Sequence, residues 1–514
     1  MTPAEDVVVR TTLGRLRGTK ESGLTMFRGV PYAAPPVGEL RWRDAAPHPG
    51  WTGTRDAKEH GPIAPQRSDL PHYAVFGSTG GDFESMDEDC LTLTIATPEA
   101  DARRRPVLVW IHGGGNVSGA GSWDWYDGRS FCRDGDLVFV SINYRLGPLG
   151  YLYMGEEDGT AHGNFWLSDM LAALRWVRDN IAAFGGDPDT VTVAGESGGA
   201  ASIAWMMGVA EARGLFRRAI LQSAPLGVGA IPPAEAAVLT ERYLHALGAS
   251  TAAEARRLPW ERLLEPVKVL TETLMPPFSA VLDHPIQRPR GEALTGDIDV
   301  LIGWTREEHG FFLAPDPQMR AIDEEQVIAA LRLQFGEAAP EAYAEYARMR
   351  PGARPVQVLI DACDDECFRI DAMRFADANA DRGGGTYAYQ LDWASPAFEG
   401  LLGAAHCMDV PFAFDNFHAW RDSALLQGNE THQRGALAKS MHRAWIDFTR
   451  TGDPGHQGLP DWAPYTTARR TVMRLDAICE PMDDPGAHRR RLWERLGGRS
   501  HRAELLWRDA VTVG

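Results

Sequence analysis

Cysteine is scarce in this chain, with 6 among 514 residues. So few exclude a disulfide scaffold, and the spacing of Cys90, Cys132, Cys363, Cys367, Cys407 and Cys479 matches no zinc-ligand pattern. Cys363 and Cys367 stand four apart in DACDDECFRI, on one face of an expected helix, and read as buried free thiols. Long apolar runs are missing as well. Stretches such as Val107–Ile111 and Leu137–Ile142 fall far short of the roughly 20 residues that cross a membrane. The opening MTPAEDVVVR carries two acids and no apolar leader, so a soluble, cytoplasmic protein with no membrane partner is expected. Positive charge is in deficit. Lys+Arg 52 against Asp+Glu 70 leave a net charge of -18, whose field repels phosphate backbones, and nucleic acid is not an expected partner.

What is present describes an ordinary globular chain, 44% apolar and 24% charged. Length alone suggests about three domains of about 150 residues each. No repeat, low-complexity run or polar linker divides the sequence, however, and a single domain over 1–514 is the simpler expectation. Short, β-branched apolar runs recur as VLVWI at 107, LVFVSIN at 137, VTVA at 191, DVLIGW at 299 and TYAYQL at 386. Between them lie stretches with helical apolar spacing, of which LSDMLAALRWVRDNIAAF at 167 is the clearest. Buried strands alternating with helices predict an α/β fold, a central, mostly parallel sheet flanked by helices. The stretches at about 227–295 and 311–385 are Pro-broken and helix-rich, and they read as helical insertions roofing the pocket.

Two segments carry chemistry. In VTVAGESGGAAS, at 191–202, an apolar strand runs into Gly195-Glu196-Ser197-Gly198-Gly199 and then into the small residues of a helix start. A nucleophile elbow needs this pattern, because a side chain two positions to either side of the serine would collide with the tight turn. In VLVWIHGGGNVSG, at 107–119, a strand ends in His112-Gly113-Gly114-Gly115. Consecutive glycines let backbone N–H groups approach a ligand closely, as an oxyanion hole requires.

With these segments and others in the same order, the chain resembles the type B carboxylesterases of the α/β-hydrolase fold. The matching segments include FRGVPYAAPPVGELRW at 27, EDCLTLTIATP at 88, VSINYRLGPLGYL at 140, LQSA at 221, AAHCMDVPFAFD at 404 and WIDFTRTGDPG at 445. The resemblance implies a carboxylic ester hydrolase with a Ser-Glu-His triad, in which Ser197 is the nucleophile and Gly114, Gly115 and Gly198 are the oxyanion donors. It implies His406 as base, reached through the loop GAAHCMD after TYAYQL; His309, His418 and His442 are the competitors. For the acid, matching from the end of DVLIGW selects Glu308. His309 stands where the family has glycine, and that departure leaves Glu307 open.

Other matches are architectural. Arginines like Arg41 and Arg145 pair in the family with acids like Glu88 and Asp169. Cys90 sits where secreted relatives form a disulfide, but the partner position holds Ala64, which implies a thiol. Glu196 reads as an acid beside the pocket. Two departures bear on specificity: Asn116 replaces an aromatic and would make the acyl side roomier or more polar, and Trp166 replaces a glycine, with simple repacking as its alternative. The implied reaction is two-step acyl transfer on a small-molecule ester, with no cofactor and no metal. An amidase, carbamate hydrolase or lactonase would use the same residues. The rival from another class is a catalytically silent, cholinesterase-like binding protein.

Overall fold

The computed structural model describes residues 5–69, 73–77, 85–155, 163–273, 278–286, 294, 297–428 and 432–498. Parts of the expected insertion at 227–295 lie outside these residues. All five apolar runs are strands, and they fall in the middle of one large sheet. In chain order the strands are β1 (Glu5–Arg10), β2 (Arg15–Glu21), β3 (Leu24–Pro31), β4 (Thr54–Asp56), β5 (Thr92–Thr97), β6 (Arg105–Ile111) and β7 (Val138–Ile142). They continue with β8 (Gly186–Glu196), β9 (Arg218–Gln222), β10 (Asp299–Thr305), β11 (Thr386–Leu391), β12 (Thr471–Leu475) and β13 (Glu480–Asp483). Across the sheet the order is β1-β2-β3-β5-β7-β6-β8-β9-β10-β11-β12-β13, with β4 beside β2.

From β7 to β12 every neighbouring pair is parallel. Strands β1, β2, β3 and β5 pair antiparallel at one edge, and β13 closes the other. Strands covered on both faces have no solvent side to show polar residues, so VLVWI and VFVSI are almost wholly buried. The run at 167 forms the helix Phe165–Asn180, whose Leu167, Met170, Leu171, Leu174 and Val177 recur at helical spacing and are all buried. It tightens into a 3-10 turn at Ile181–Phe184 and stops at Gly185, where φ is 80°.

Helices Pro233–Leu247 and Glu265–Thr273 fall in the first expected insertion; Glu324–Phe335, Ala339–Met349 and Pro355–Asp364 fall in the second. Cys363 and Cys367 are buried free thiols on a continuous helical stretch that widens to π geometry at Asp365–Arg369. Helix Ile370–Asp381, which follows, packs against β10 and β11. Among the described residues, no helix is long and apolar enough to cross a membrane.

Two arginine–carboxylate pairs fasten the loops around the strand ends. Arg145 donates from Nε and Nη2 to the two Asp169 oxygens at 2.8 and 2.6 Å, and from Nη1 to the Arg43 carbonyl. Arg41 pairs with Glu88 and also donates to the carbonyls of Arg256 and Leu258, binding the first insertion to the body of the fold. Asp169 is fully buried, so its loss would strand the Arg145 guanidinium without a counter-charge. Asp169→Ala is expected to lower unfolding free energy by about 3–5 kcal/mol. Chemical denaturation measures this directly, and a loss below about 1 kcal/mol would show the pair to be dispensable.

Candidate active site

Strand β8 ends at Glu196 and helix Gly198–Met206 begins two residues later, so Ser197 occupies the whole turn. Its φ of 54° and ψ of -126° are a conformation that L-residues rarely hold. The turn closes so tightly that a Cβ on Gly199 would sit 2.2 Å from the Ile111 carbonyl oxygen, and one on Gly195 would sit 2.7 Å from the same atom. Any side chain at either position would push β6 away from the elbow. The Ser197 amide donates to the Gln222 carbonyl on β9 at 2.9 Å, which fixes the turn from the other side.

The late histidine reaches this turn from three strands away in the sheet. Loop 404–407 follows β11 and places His406 so that the Ser197 hydroxyl donates to Nε2 at 2.8 Å, while Nδ1–H donates to Glu308 Oε2 at 2.6 Å. Glu308 Oε1 accepts from the Thr305 amide at 2.7 Å, so both oxygens of this fully buried carboxylate are engaged. Glu307 faces elsewhere. Its Oε2 accepts from the Ala404 amide at 2.9 Å and its Oε1 from Arg306 and Arg350, which secures the loop carrying His406. The other histidines are occupied or distant: His309 Nδ1 meets Asp364 Oδ1 at 2.7 Å, His442 Nδ1–H donates to the Ala413 carbonyl, and His418 is exposed.

The glycine loop folds back over the elbow. Gly114, Gly115 and Asn116 have φ of 116°, 60° and 66°, a run of left-handed backbone that favours glycine and asparagine. His112 supports the loop: burial pulls its imidazole down to about 4, and the neutral ring stacks on Tyr144 at 4.5 Å. The amides of Gly114, Gly115 and Gly198 donate to no acceptor among the described residues. They lie close together, since a Cβ on Gly198 would be 3.8 Å from the Gly115 nitrogen. Asn116 does not project as a free wall. Its Nδ2 donates to the Phe278 carbonyl at 2.8 Å, and its Oδ1 lies 2.9 Å from where a Gly198 Cβ would stand. Trp166 stacks on Tyr151 at 5.3 Å and is fully buried, which is the repacking alternative.

Buried carboxylates crowd the imidazole. Glu196 Oε1 lies 3.2 Å from His406 Nε2 and accepts from the Cys407 thiol at the same distance. Burial pushes the Glu196 carboxyl up, with His406 drawing it partly back. Burial also pulls His406 down, but Glu196 and the hydrogen bond to Glu308 outweigh it and hold the imidazole above its ordinary value. Asp409, pushed up to about 6 by burial, accepts from the Tyr389 hydroxyl at 2.7 Å behind the loop. Sequence reasoning missed Cys407 as a neighbour of Glu196, and it missed Asp409 altogether. Their one signal was a polar cluster, HCMD, inside the apolar stretch LLGAAHCMDVPFAF.

A parallel sheet with its serine on a strand-to-helix elbow, faced by a histidine from a late loop, defines an α/β-hydrolase. The chain belongs to the carboxylesterase family, whose model matches residues 5–493. It is 44% identical over 471 residues to the phenmedipham hydrolase of Pseudarthrobacter oxydans, covering 89% of this chain and 92% of that one. With the para-nitrobenzyl esterase of Bacillus subtilis it shares 32% identity over 495 residues, covering 94% and 97%. A crystal structure of a Geobacillus stearothermophilus carboxylesterase superposes with a TM-score of 0.85 at 38% identity, covering 95% of this chain and 99% of that one. The protein is a carboxylic ester hydrolase.

Proposed function

We propose that the chain hydrolyses small-molecule carboxylic esters by two-step acyl transfer at Ser197, and the hydrogen-bond chain Ser197–His406–Glu308 carries that reading. Ser197 Oγ attacks the ester carbonyl as His406 Nε2 takes its proton, and Glu308 holds Nδ1–H so that the free lone pair faces the serine. The oxyanion is received by the unpaired amides of Gly114, Gly115 and Gly198, the last at a helix N-terminus where the dipole favours negative charge. The imidazolium then protonates the departing alkoxide, and water repeats the sequence on the acyl-enzyme. Glu196 adds a second negative charge beside the transient imidazolium. No step calls for a cofactor. The chain acts as one domain, with the insertions at about 227–295 and 311–385 forming the pocket roof.

Hydrolysis in this scheme needs neutral His406, so kcat/KM is low in acid and rises as pH passes the imidazole pKa. Because Glu196 and Glu308 raise that pKa, the midpoint is expected above histidine's usual value of about 6.5. Glu196→Gln removes one of these charges and should move the midpoint down by about one unit. A pH–rate profile with an unchanged midpoint would exclude the interaction.

Asn116 is a positioning residue in this reading, binding the oxyanion loop to the roof at Phe278. Asn116→Ala is expected to lower kcat/KM about tenfold for acetate, butyrate and benzoate nitrophenyl esters alike, the cost of one lost hydrogen bond near the reacting atoms. A change in rank order among the three would instead give Asn116 a role in acyl selection. Adding phenmedipham to that panel tests a second reading, favoured by the 44% identity with the phenmedipham hydrolase. Turnover of the esters without phenmedipham would limit the activity to simple esters, and absence of any turnover would end the proposal.

A further inference from the structure

The hydrolytic scheme uses His406 and Glu196 but gives no task to Cys407, the buried thiol that follows His406 on the same loop. One donor atom each of Glu196, His406 and Cys407 lies within 4.8 Å of the other two. Two of the three separations, Glu196 to His406 and Glu196 to Cys407, are 3.2 Å. The corners of a tetrahedron with metal–ligand bonds of 2.0–2.3 Å are about 3.3–3.8 Å apart, so both of these separations stand nearly at the spacing of zinc ligands. Thiolate, imidazole and carboxylate are also the donor types that zinc accepts together.

We propose that Glu196, His406 and Cys407 form a site for a divalent zinc-like cation that switches the hydrolase off. Binding converts the Cys407 S–H to a thiolate, whose proton leaves to solvent, and the ion takes one lone pair each from Sγ, Glu196 Oε1 and His406 Nε2. The Nδ1–H of His406 stays on Glu308 Oε2 at 2.6 Å, the carboxylate–histidine–metal arrangement that orients an imidazole ligand and makes it more basic. Water fills the fourth position, or Ser197 Oγ does, since it stands 2.8 Å from Nε2. Coordination consumes the lone pair that would otherwise accept the Ser197 proton, so the metal-bound form has no base. The inhibitory effect rests on the proposed roles of Ser197 and His406; the binding does not.

Two measurements test the site on the intact protein after dialysis against a chelator. Zn²⁺ should abolish hydrolysis of para-nitrophenyl acetate with one ion per chain, and EDTA should restore it. Cys407→Ala should raise the half-inhibiting Zn²⁺ concentration by at least about a hundredfold, given that even the outer partners of metal ligands are worth 10–100-fold. Co²⁺ should give wild type the intense visible bands of a tetrahedral centre and a thiolate charge-transfer band in the near ultraviolet, both lost in Cys407→Ala. Should the alanine variant misfold, Cys407→Ser keeps a donor to Glu196 while removing the soft ligand, and the same losses are expected. Equal Zn²⁺ sensitivity in wild type and a folded Cys407 variant, or no cobalt–thiolate band in wild type, would overturn the proposal. A cobalt–thiolate band in a protein whose hydrolysis survives Ser197→Ala would leave the site standing and remove the catalytic reading instead.

Discussion

Ser197→Ala is expected to lower kcat for nitrophenyl esters by about 10⁴-fold or more, leaving the small rate that the oxyanion amides and substrate binding supply alone. The magnitude follows from the geometry. Ser197 Oγ is the atom that meets His406 Nε2 at 2.8 Å, and the strained turn at φ 54° holds it there before substrate arrives. Alanine fits the same turn, so the fold and the KM for a slowly cleaved ester should change little. A fluorophosphonate should label the wild type once and the variant not at all. Labelling at another serine, or a variant with near-normal turnover, would remove Ser197 from the mechanism.

Glu308→Gln should cost between about a hundredfold and ten-thousandfold in kcat. The amide that replaces the carboxylate can offer its NH₂ to Nδ1, which favours the wrong tautomer and leaves the imidazolium without its counter-charge. Glu307→Gln is expected to leave kcat within severalfold of wild type and to act on stability instead. Its carboxylate is spent on Arg306, Arg350 and the Ala404 amide, and a glutamine can keep the Ala404 bond but not the charge pairing. Steady-state kinetics with thermal melts on both variants separates the two. A larger kinetic loss in Glu307→Gln than in Glu308→Gln would make Glu307 the triad acid.

The adjacent glutamates show where sequence runs out. Two consecutive acids leaving the same strand carry the same local signal, and only the turn after Thr305 decides which carboxylate meets the imidazole. The parallel centre of the sheet was legible because strands buried on both faces must be apolar throughout. Strand β9, RAILQ, was overlooked because it is short and bracketed by Arg218 and Gln222, whose partners Asp299 and Trp445 come from other parts of the chain. The elbow and the glycine loop could be read because steric limits write them as glycine. The tether of Asn116 could not be foreseen, since its partner, the Phe278 carbonyl, is 162 residues away and belongs to no motif.

That tether bears on how such a hydrolase can be re-engineered. The proposed roof segment near 278 is also stitched to the body by paired bonds between Asn164 and Val281, at 3.0 Å each. A roof exchanged from a relative therefore does not end at the termini of the insertion. Its true seam runs through Asn116 and Asn164, and a chimera that carries the donor roof with the recipient residues at those two positions would be cut across its own hydrogen bonds. Recombination libraries drawn along this seam, with 116 and 164 travelling with the roof, should retain folded members far more often than libraries cut by sequence position alone.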